Sequence, residues 1–178
     1  MRYLGLDPGL TITGWGVVEA CGSELAHVAD GAVRPDASAS IGARLRALHE
    51  GLAEVIARYA PDEAAVEETF VNRNAASALR LGQARGVVLL APALAGIVVA
   101  EYSANTVKKS VVGAGHAAKQ QVGMMVKTLL PGSACLTEDA ADALAVAICH
   151  AHYARTRLRI VDASAGTAAP RSLGRGRP

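Results

Sequence analysis

Aromatic residues are scarce in this chain: Phe70 and Trp15 are the only ones of their kinds, beside four tyrosines. A core built on stacked rings is excluded. With 51% hydrophobic residues, mostly Ala, Val and Leu, the composition points to aliphatic α/β layers. Cysteine is scarce too. Cys21, Cys135 and Cys149 are widely separated, odd in number and form no Cys-x-x-Cys. That excludes a disulfide framework and fits reduced thiols in a cytoplasmic protein. Cys149, His150 and His152 lie close together, but near the end of an amphipathic helical pattern where histidine is ordinary, so metal ligation there is disfavoured. No uncharged apolar run reaches the roughly 18 residues of a membrane span, and no basic-then-apolar leader opens the chain. The longest apolar run, Val87 to Ala100, contains Pro92 and Gly96 and reads as a buried helix end followed by a strand.

Acid is missing from the middle. Residues 73–127 carry Arg73, Arg80, Arg85, Lys108, Lys109, Lys119 and Lys127 against Glu101 alone. The last stretch, 143–178, sets its arginines against Asp162 alone, while acids outnumber bases in residues 1–72, so the net charge of +2 conceals the asymmetry. A basic middle and tail expect a polyanionic partner.

A chain of 178 residues is large enough for one domain that buries about two-thirds of its unfolded surface. The hydropathy pattern assigns residues 1–160 to that domain. Residues 161–178 are read as a disordered basic tail, because Ser, Gly, Pro and Arg leave nothing to bury. Strands are expected at Tyr3–Asp7, Gly14–Ala20 and Leu25–Arg34, with turns at Pro8-Gly9 and Cys21-Gly22-Ser23. Ile41, Leu45, Leu48, Leu52, Val55, Ile56 and Tyr59 then recur at helical spacing after a cap at Ser38 or Ser40, and Pro61 ends that helix. Ala64-Ala65-Val66 leads as a fourth strand into Glu67. A helix capped by Asn72 or Asn74 is expected to run to about Leu90, followed by a fifth strand at Ile97–Tyr102. Three helices close the chain: Ser103–Val112, Ala117–Leu130, and Glu138 to about Arg157 behind a Thr137 cap. Three strands in a meander followed by crossover-linked strands give a mixed five-stranded sheet, antiparallel and parallel, with helices on both faces.

Asp7 and Glu67 each end a strand, and if those strands are neighbours the two carboxylates share one edge of the sheet. The final helix adds Glu138, Asp139 and Asp142. Asp139 and Asp142 are three apart and Glu138 and Asp142 four apart, so spacing alone leaves open which acid accompanies Asp142. Glu138 is also explained as an acid favoured by the helix macrodipole. Asp142 is not, since it stands a full turn in among Ala140, Ala141, Ala143, Leu144 and Ala145, where a bare carboxylate needs a partner. Hard oxygen ligands without His or Cys suit Mg²⁺ or Mn²⁺. Three or four carboxylates can hold two ions about 3.5–4 Å apart, one activating water and the other stabilising the leaving 3′ oxygen. With the basic middle segment, these residues alone read as a metal-dependent nuclease.

Five blocks carry a further resemblance: Gly5-Leu6-Asp7-Pro8-Gly9, Val66-Glu67-Glu68-Thr69-Phe70, Ala78-Leu79-Arg80-Leu81-Gly82-Gln83-Ala84-Arg85-Gly86, Val107-Lys108-Lys109-Ser110-Val111-Val112-Gly113 and Asp139-Ala140-Ala141-Asp142-Ala143-Leu144-Ala145. In this order, over about residues 1–155, the chain resembles the RuvC family of Holliday junction resolvases. The resemblance implies an RNase H-like fold and a homodimer that nicks a four-way DNA junction in pairs, leaving 5′-phosphate and 3′-hydroxyl ends. It also implies branch-migration proteins of the Ruv complex as partners and two Mg²⁺ per site, with Mn²⁺ as a substitute. It maps the four ligands onto Asp7, Glu67, Asp139 and Asp142, which selects Asp139 over Glu138, and it leaves out Glu68, which strand alternation turns to the other face. Phe70 matches an aromatic wedge that stacks on an unpaired base. Lys108 and Lys119 match basic positions at the scissile phosphate, while Arg73, Arg80, Arg85 and Lys109 are expected to contact DNA more loosely. The small residues Gly82 and Gly86 mark the expected dimer seam.

Two other readings compete. The first block is also similar to the phosphate loop of actin-like ATPases, but those need two such lobes, and the chain has room for one. A non-catalytic junction-binding protein is the other; four carboxylates near the phosphates would only hinder it.

Overall fold

The computed structural model describes residues 1–68, 74–133 and 137–166, with side chains described as far as Arg157; Phe70, Arg73 and Cys135 fall outside these ranges. Five strands form one sheet: β1 (Arg2–Asp7), β2 (Thr13–Cys21), β3 (Glu24–Val33), β4 (Glu63–Glu68) and β5 (Val98–Ser103). Their order is β3-β2-β1-β4-β5. β1–β2 and β2–β3 are antiparallel, as hairpin turns require, and β1–β4 and β4–β5 are parallel across helical crossovers. This is the mixed sheet that the order of elements predicts.

Alternation along each strand splits the interior into two cores. Leu4, Leu6, Ala64 and Val66 bury against Leu48, Leu52 and Ile56 of α1 (Ile41–Tyr59) and Ala84 and Val88 of α2 (Ala75–Leu94). Tyr3, Val18 and Ala65 face the other way, toward α3 (Ala104–Val112), α4 (Lys119–Leu129) and α5 (Glu138–Gly166). Ser40 caps α1 and Asn74 caps α2, which settles both pairs of alternatives, and Thr137 Oγ1 accepts from the Ala140 N–H at the start of α5.

Three helix ends differ from the sequence reading. α2 continues through Pro92 to Leu94, and the Gly96 and Ile97 N–H groups bond back to Ala93 and Pro92 with Gly96 at φ 74. Gly96, rather than Pro92, therefore ends the helix. α4 begins at Lys119, not Ala117, where Gln121 Oε1 accepts from the Ala118 N–H at 2.9 Å. α5 passes Arg157 and runs to Gly166, so the expected tail gives up its first residues to the helix.

The middle of α5 is tied to the sheet by a polar network. His150 is buried, with Nδ1 2.9 Å from the Tyr102 hydroxyl and Nε2 2.9 Å from Glu63 Oε2; Arg157 reaches the same carboxylate at 2.6 Å. Cys149 is buried beside it, and His152 Nδ1 lies 3.1 Å from Ser110 Oγ. No helix among the described residues is long and apolar enough to cross a membrane.

Candidate active site

β1 and β4 are direct neighbours in parallel register, Leu6 opposite Val66. The next residue on each strand is therefore Asp7 on one and Glu67 on the other, side by side at the carboxyl edge of the sheet, where open α/β sheets place their ligands. Alternation sends Leu6 and Val66 into the α1–α2 core, so Asp7 and Glu67 point to the α5 side and Glu68 to the opposite one.

Glycine lets α5 come down to meet them. A Cβ on Gly5 would stand 2.0 Å from the Ala143 carbonyl oxygen, and a Cβ on Gly14 only 2.1 Å from that of Asp139. Ala140, Ala143 and Ala147 are fully buried along the same helix, so small residues face small residues. Gly14 is also the antiparallel partner of Asp7. The first turns of α5 thus press on β2 beside Asp7 and deliver Asp139 and Asp142. The loop between β1 and β2 is held by Thr13, whose hydroxyl donates to the Gly9 carbonyl at 2.6 Å while accepting from the Gly9 N–H at 3.2 Å.

A cleft of about 220 Å³ opens there, lined by Asp7, Glu67 and Asp142, by Lys108 and Lys119, and by the apolar groups of Ala104, Val107, Val122 and Ala145. Lys119 Nζ is 2.9 Å from Asp142 Oδ2 and 3.7 Å from Glu138 Oε2. Asp139 lies on the other flank, beside β2 and outside the cleft lining, with Oδ2 3.7 Å from an Arg34 guanidinium nitrogen. Glu138 is 82% exposed and faces α4, whereas Asp139 sits on the Asp7 side of the helix.

Burial and crowding set the charge state. The Asp7 carboxyl is pushed up to about 7, first by desolvation and then by the negative charges of Glu67 and Asp142. Desolvation also raises Glu67, with Asp142 adding to the rise and Lys108 and Lys119 opposing it. Asp142 is raised by desolvation against the hydrogen bond from Lys119, and that same bond raises Lys119. Carboxylates held together at such a cost need a compensating cation, and an all-oxygen donor set fits magnesium or manganese. Among the described residues no three such side chains stand ready as they are to hold one ion. Lys119 engages Asp142 and Arg34 engages Asp139, so the donors fit the group but two of them are held by side-chain cations.

The remaining sequence candidates are dispersed. Lys108 faces the cleft, but Lys109 turns away into a separate groove between α3 and α5. Arg85 is held within the chain: it donates to the Glu67 carbonyl at 3.0 Å and forms an ion pair with Glu101 on β5. Its place is behind β4, on the α2 side. Arg80, Gly82 and Gly86 are exposed on α2, and a Cβ at either glycine would meet open space. Phe70 and Arg73 lie outside the described residues. Arg34, Thr13 and Gly14 stand outside the sequence blocks, and Gly5 belongs to the first of them without its packing against α5 being visible there. Arg34 follows β3 in the acid-rich first third, and that local contrast of charge was its only signal.

Comparison with known proteins finds relatives over nearly the whole chain. The profile of the family described as crossover junction endodeoxyribonuclease RuvC matches residues 3–150. A relative of that name from Paramagnetospirillum magneticum is 65% identical over 93% of this chain and 99% of its own length. Another from Rhodospirillum rubrum is 65% identical over 93% and 98%. Among solved structures, Thermus thermophilus RuvC in complex with a Holliday junction substrate superposes with a TM-score of 0.82 at 37% identity, covering 88% of this chain and 96% of that one. The RNase H-like fold expected from the sequence is thereby shown.

Proposed function

Since the chain belongs to the crossover junction endodeoxyribonuclease RuvC family, we propose that it resolves four-way DNA junctions by metal-dependent hydrolysis at the Asp7–Glu67–Asp142 cleft, with Asp139 completing the ligand set. The observation that carries this reading is the convergence of acids from β1, β4 and α5 with Lys108 and Lys119 on one cleft. The T. thermophilus relative was solved with its Holliday junction substrate, which supports the same substrate here.

Two magnesium ions, or manganese in their place, would supply Lewis acidity to the phosphoryl centre when held by these carboxylates. The chain's own residues do the rest. Asp7 and Glu67 present oxygens from a rigid sheet edge. Asp142 arrives on a helix that glycine allows to sit low. An ion pair as exposed as Arg34–Asp139 is weak, so the Asp139 carboxylate can exchange its partner. Lys108 and Lys119 border the cleft from α3 and α4, where their ammonium groups would meet the charge of the scissile phosphate.

On this reading the chain acts as a homodimer that makes paired nicks with 5′-phosphate and 3′-hydroxyl ends, and it works with the branch-migration proteins of the Ruv complex. The exposed α2 face around Gly82 and Gly86 is the proposed seam, and Phe70 the proposed wedge. The deciding experiment is a Mg²⁺-dependent cleavage assay on a synthetic four-way junction beside linear duplex. Symmetric cleavage of the junction alone is expected. Equal cleavage of duplex would make the chain a general nuclease, and binding without cleavage would make it a passive junction binder.

A further inference from the structure

We propose that the groove between α3 and α5 is a second DNA-contact site, which takes a backbone phosphate of the bound DNA away from the cleft. The proposal rests on the reading of the chain as a junction nuclease and adds a contact to it. The groove holds about 300 Å³ and is lined by Thr106, Lys109, Ser110, His152, Tyr153 and Thr156. Among the described residues its lining contains one ammonium group, one imidazole and several hydroxyls, and no carboxylate. Two other grooves differ in this respect: the one between α4 and α5 includes Glu138, and the one beside Trp15 includes Glu54. Either would set a negative charge against an incoming phosphate.

The groove is also organised. Ser110 Oγ and His152 Nδ1 are 3.1 Å apart, so the hydroxyl orients the ring, and the Thr156 hydroxyl donates to the His152 carbonyl at 3.0 Å. The charged neighbour that acts on His152 is Arg155, a second cation. Lys109 is exposed, and among the described residues it has no ion-pair partner, whereas Lys119 has two. A lysine left unpaired in an acid-free groove is placed as phosphate-contacting lysines are.

The spacing suits one continuous ligand. Lys108 and Lys109 are consecutive on α3, about 100° apart around its axis, so one helix points a cation into the cleft and the next into the groove. On α5 the cleft is lined by Asp142 and Ala145 and the groove by His152, Tyr153 and Thr156. At 1.5 Å per residue, Ala145 and His152 lie about 10 Å apart along the helix, the axial rise of roughly three base pairs of duplex.

The test measures binding of the full-length chain to a labelled four-way junction in chelator, where nothing is cut, over roughly 50–200 mM salt. Lys109→Ala should weaken binding several-fold at the low-salt end and make the slope of log K against log salt shallower by about 0.9 for each copy bound. Lys109→Arg should restore the slope. Thr156→Glu, at an exposed helical position that any polar residue can occupy, should weaken binding in the same salt-dependent way. An unchanged slope in both Lys109→Ala and Thr156→Glu overturns the proposal. If the unmodified chain binds junction and duplex alike but the slope still falls in Lys109→Ala, the groove stands and the junction assignment fails. If the chain prefers junctions and the slope does not move, the groove alone fails.

Discussion

Lys119 Nζ stands 2.9 Å from Asp142 Oδ2, and this pair joins the first residue of α4 to the acid one turn into α5 across the cleft. The contact lowers the cost of burying Asp142, and it holds a cation where the phosphate of a substrate would arrive. The Lys119 side chain is 57% exposed, so its weight lies in chemistry rather than in stability.

Lys119→Met should therefore lower the single-turnover cleavage rate by roughly a hundredfold, the loss typical of one electrostatic stabiliser. The melting temperature should move little. A rate within about threefold of the parent would remove Lys119 from the reaction.

Binding and cleavage should separate in two variants for different reasons. Asp7→Asn removes a carboxylate that would face the phosphates of a bound junction, so cleavage should vanish while junction affinity holds or rises. Phe70→Ala should bind junctions but resolve them poorly, as roughly 1–3 kcal/mol of base stacking is lost. Full cleavage by Asp7→Asn would sink the metal-ligand assignment, and unchanged resolution by Phe70→Ala would dismiss the wedge.

The raised Asp7 carboxyl predicts an inverted dependence of stability on pH. Folding shifts it from 3.8 to about 7, chiefly through desolvation. Between those values the folded chain binds more protons at Asp7 than the unfolded one, so the Asp7 contribution to metal-free stability is full below 3.8 and is lost as pH rises through about 7. Glu67 and Asp142, also raised, act in the same direction. Asp7→Asn should melt higher than the parent at alkaline pH by at least about 2 °C, the effect of about 1 kcal/mol in a chain of this size. Adding Mg²⁺ should close that gap by stabilising the parent. A parent and Asp7→Asn that melt alike at alkaline pH without metal would contradict the crowding of the cleft.

Gly14→Ala puts a methyl group where only about 2.1 Å separates its Cβ from the Asp139 carbonyl oxygen. The start of α5 must lift, which costs about 1–3 kcal/mol in urea denaturation. Because Asp139 and Asp142 ride on that end, cleavage should fall at least tenfold beyond any loss of folded protein. Gly5→Ala meets the Ala143 backbone deeper in the helix and should destabilise more.

Arg85→Ala removes the donor to the Glu67 carbonyl and leaves Glu101 unpaired. Cleavage should drop while the salt dependence of junction binding stays as it was, since this guanidinium is turned inward. A shallower salt slope in Arg85→Ala would instead make it a DNA contact.

The sequence made β1 and its turn readable because a strand that ends at Asp7-Pro8-Gly9 is a local matter of apolar alternation and turn chemistry. Asp7, Glu67 and Asp142 were readable because each acid sits where local preference gives it no reason to be. What stayed hidden depends on contacts between distant segments. Lys108 and Lys109 look alike in the chain; which one enters the cleft is decided by the rotation of α3 as Val107 and Val111 bury. Arg85 resembles its neighbour Arg80 until β5 brings Glu101 beside it. The adjacency of β1 and β4 also lies beyond local pattern, because it is made by the crossover through α1.

That crossover has a further consequence. Asp7 is made at the start of the chain and Asp142 near its end, and neither acid has company until β4 has paired with β1 and α5 has docked on both. Contacts between such remote segments form late and slowly. A partly synthesised or partly unfolded chain therefore carries no assembled cleft, and a member of this endonuclease family gathers its acids only when its tertiary structure is complete.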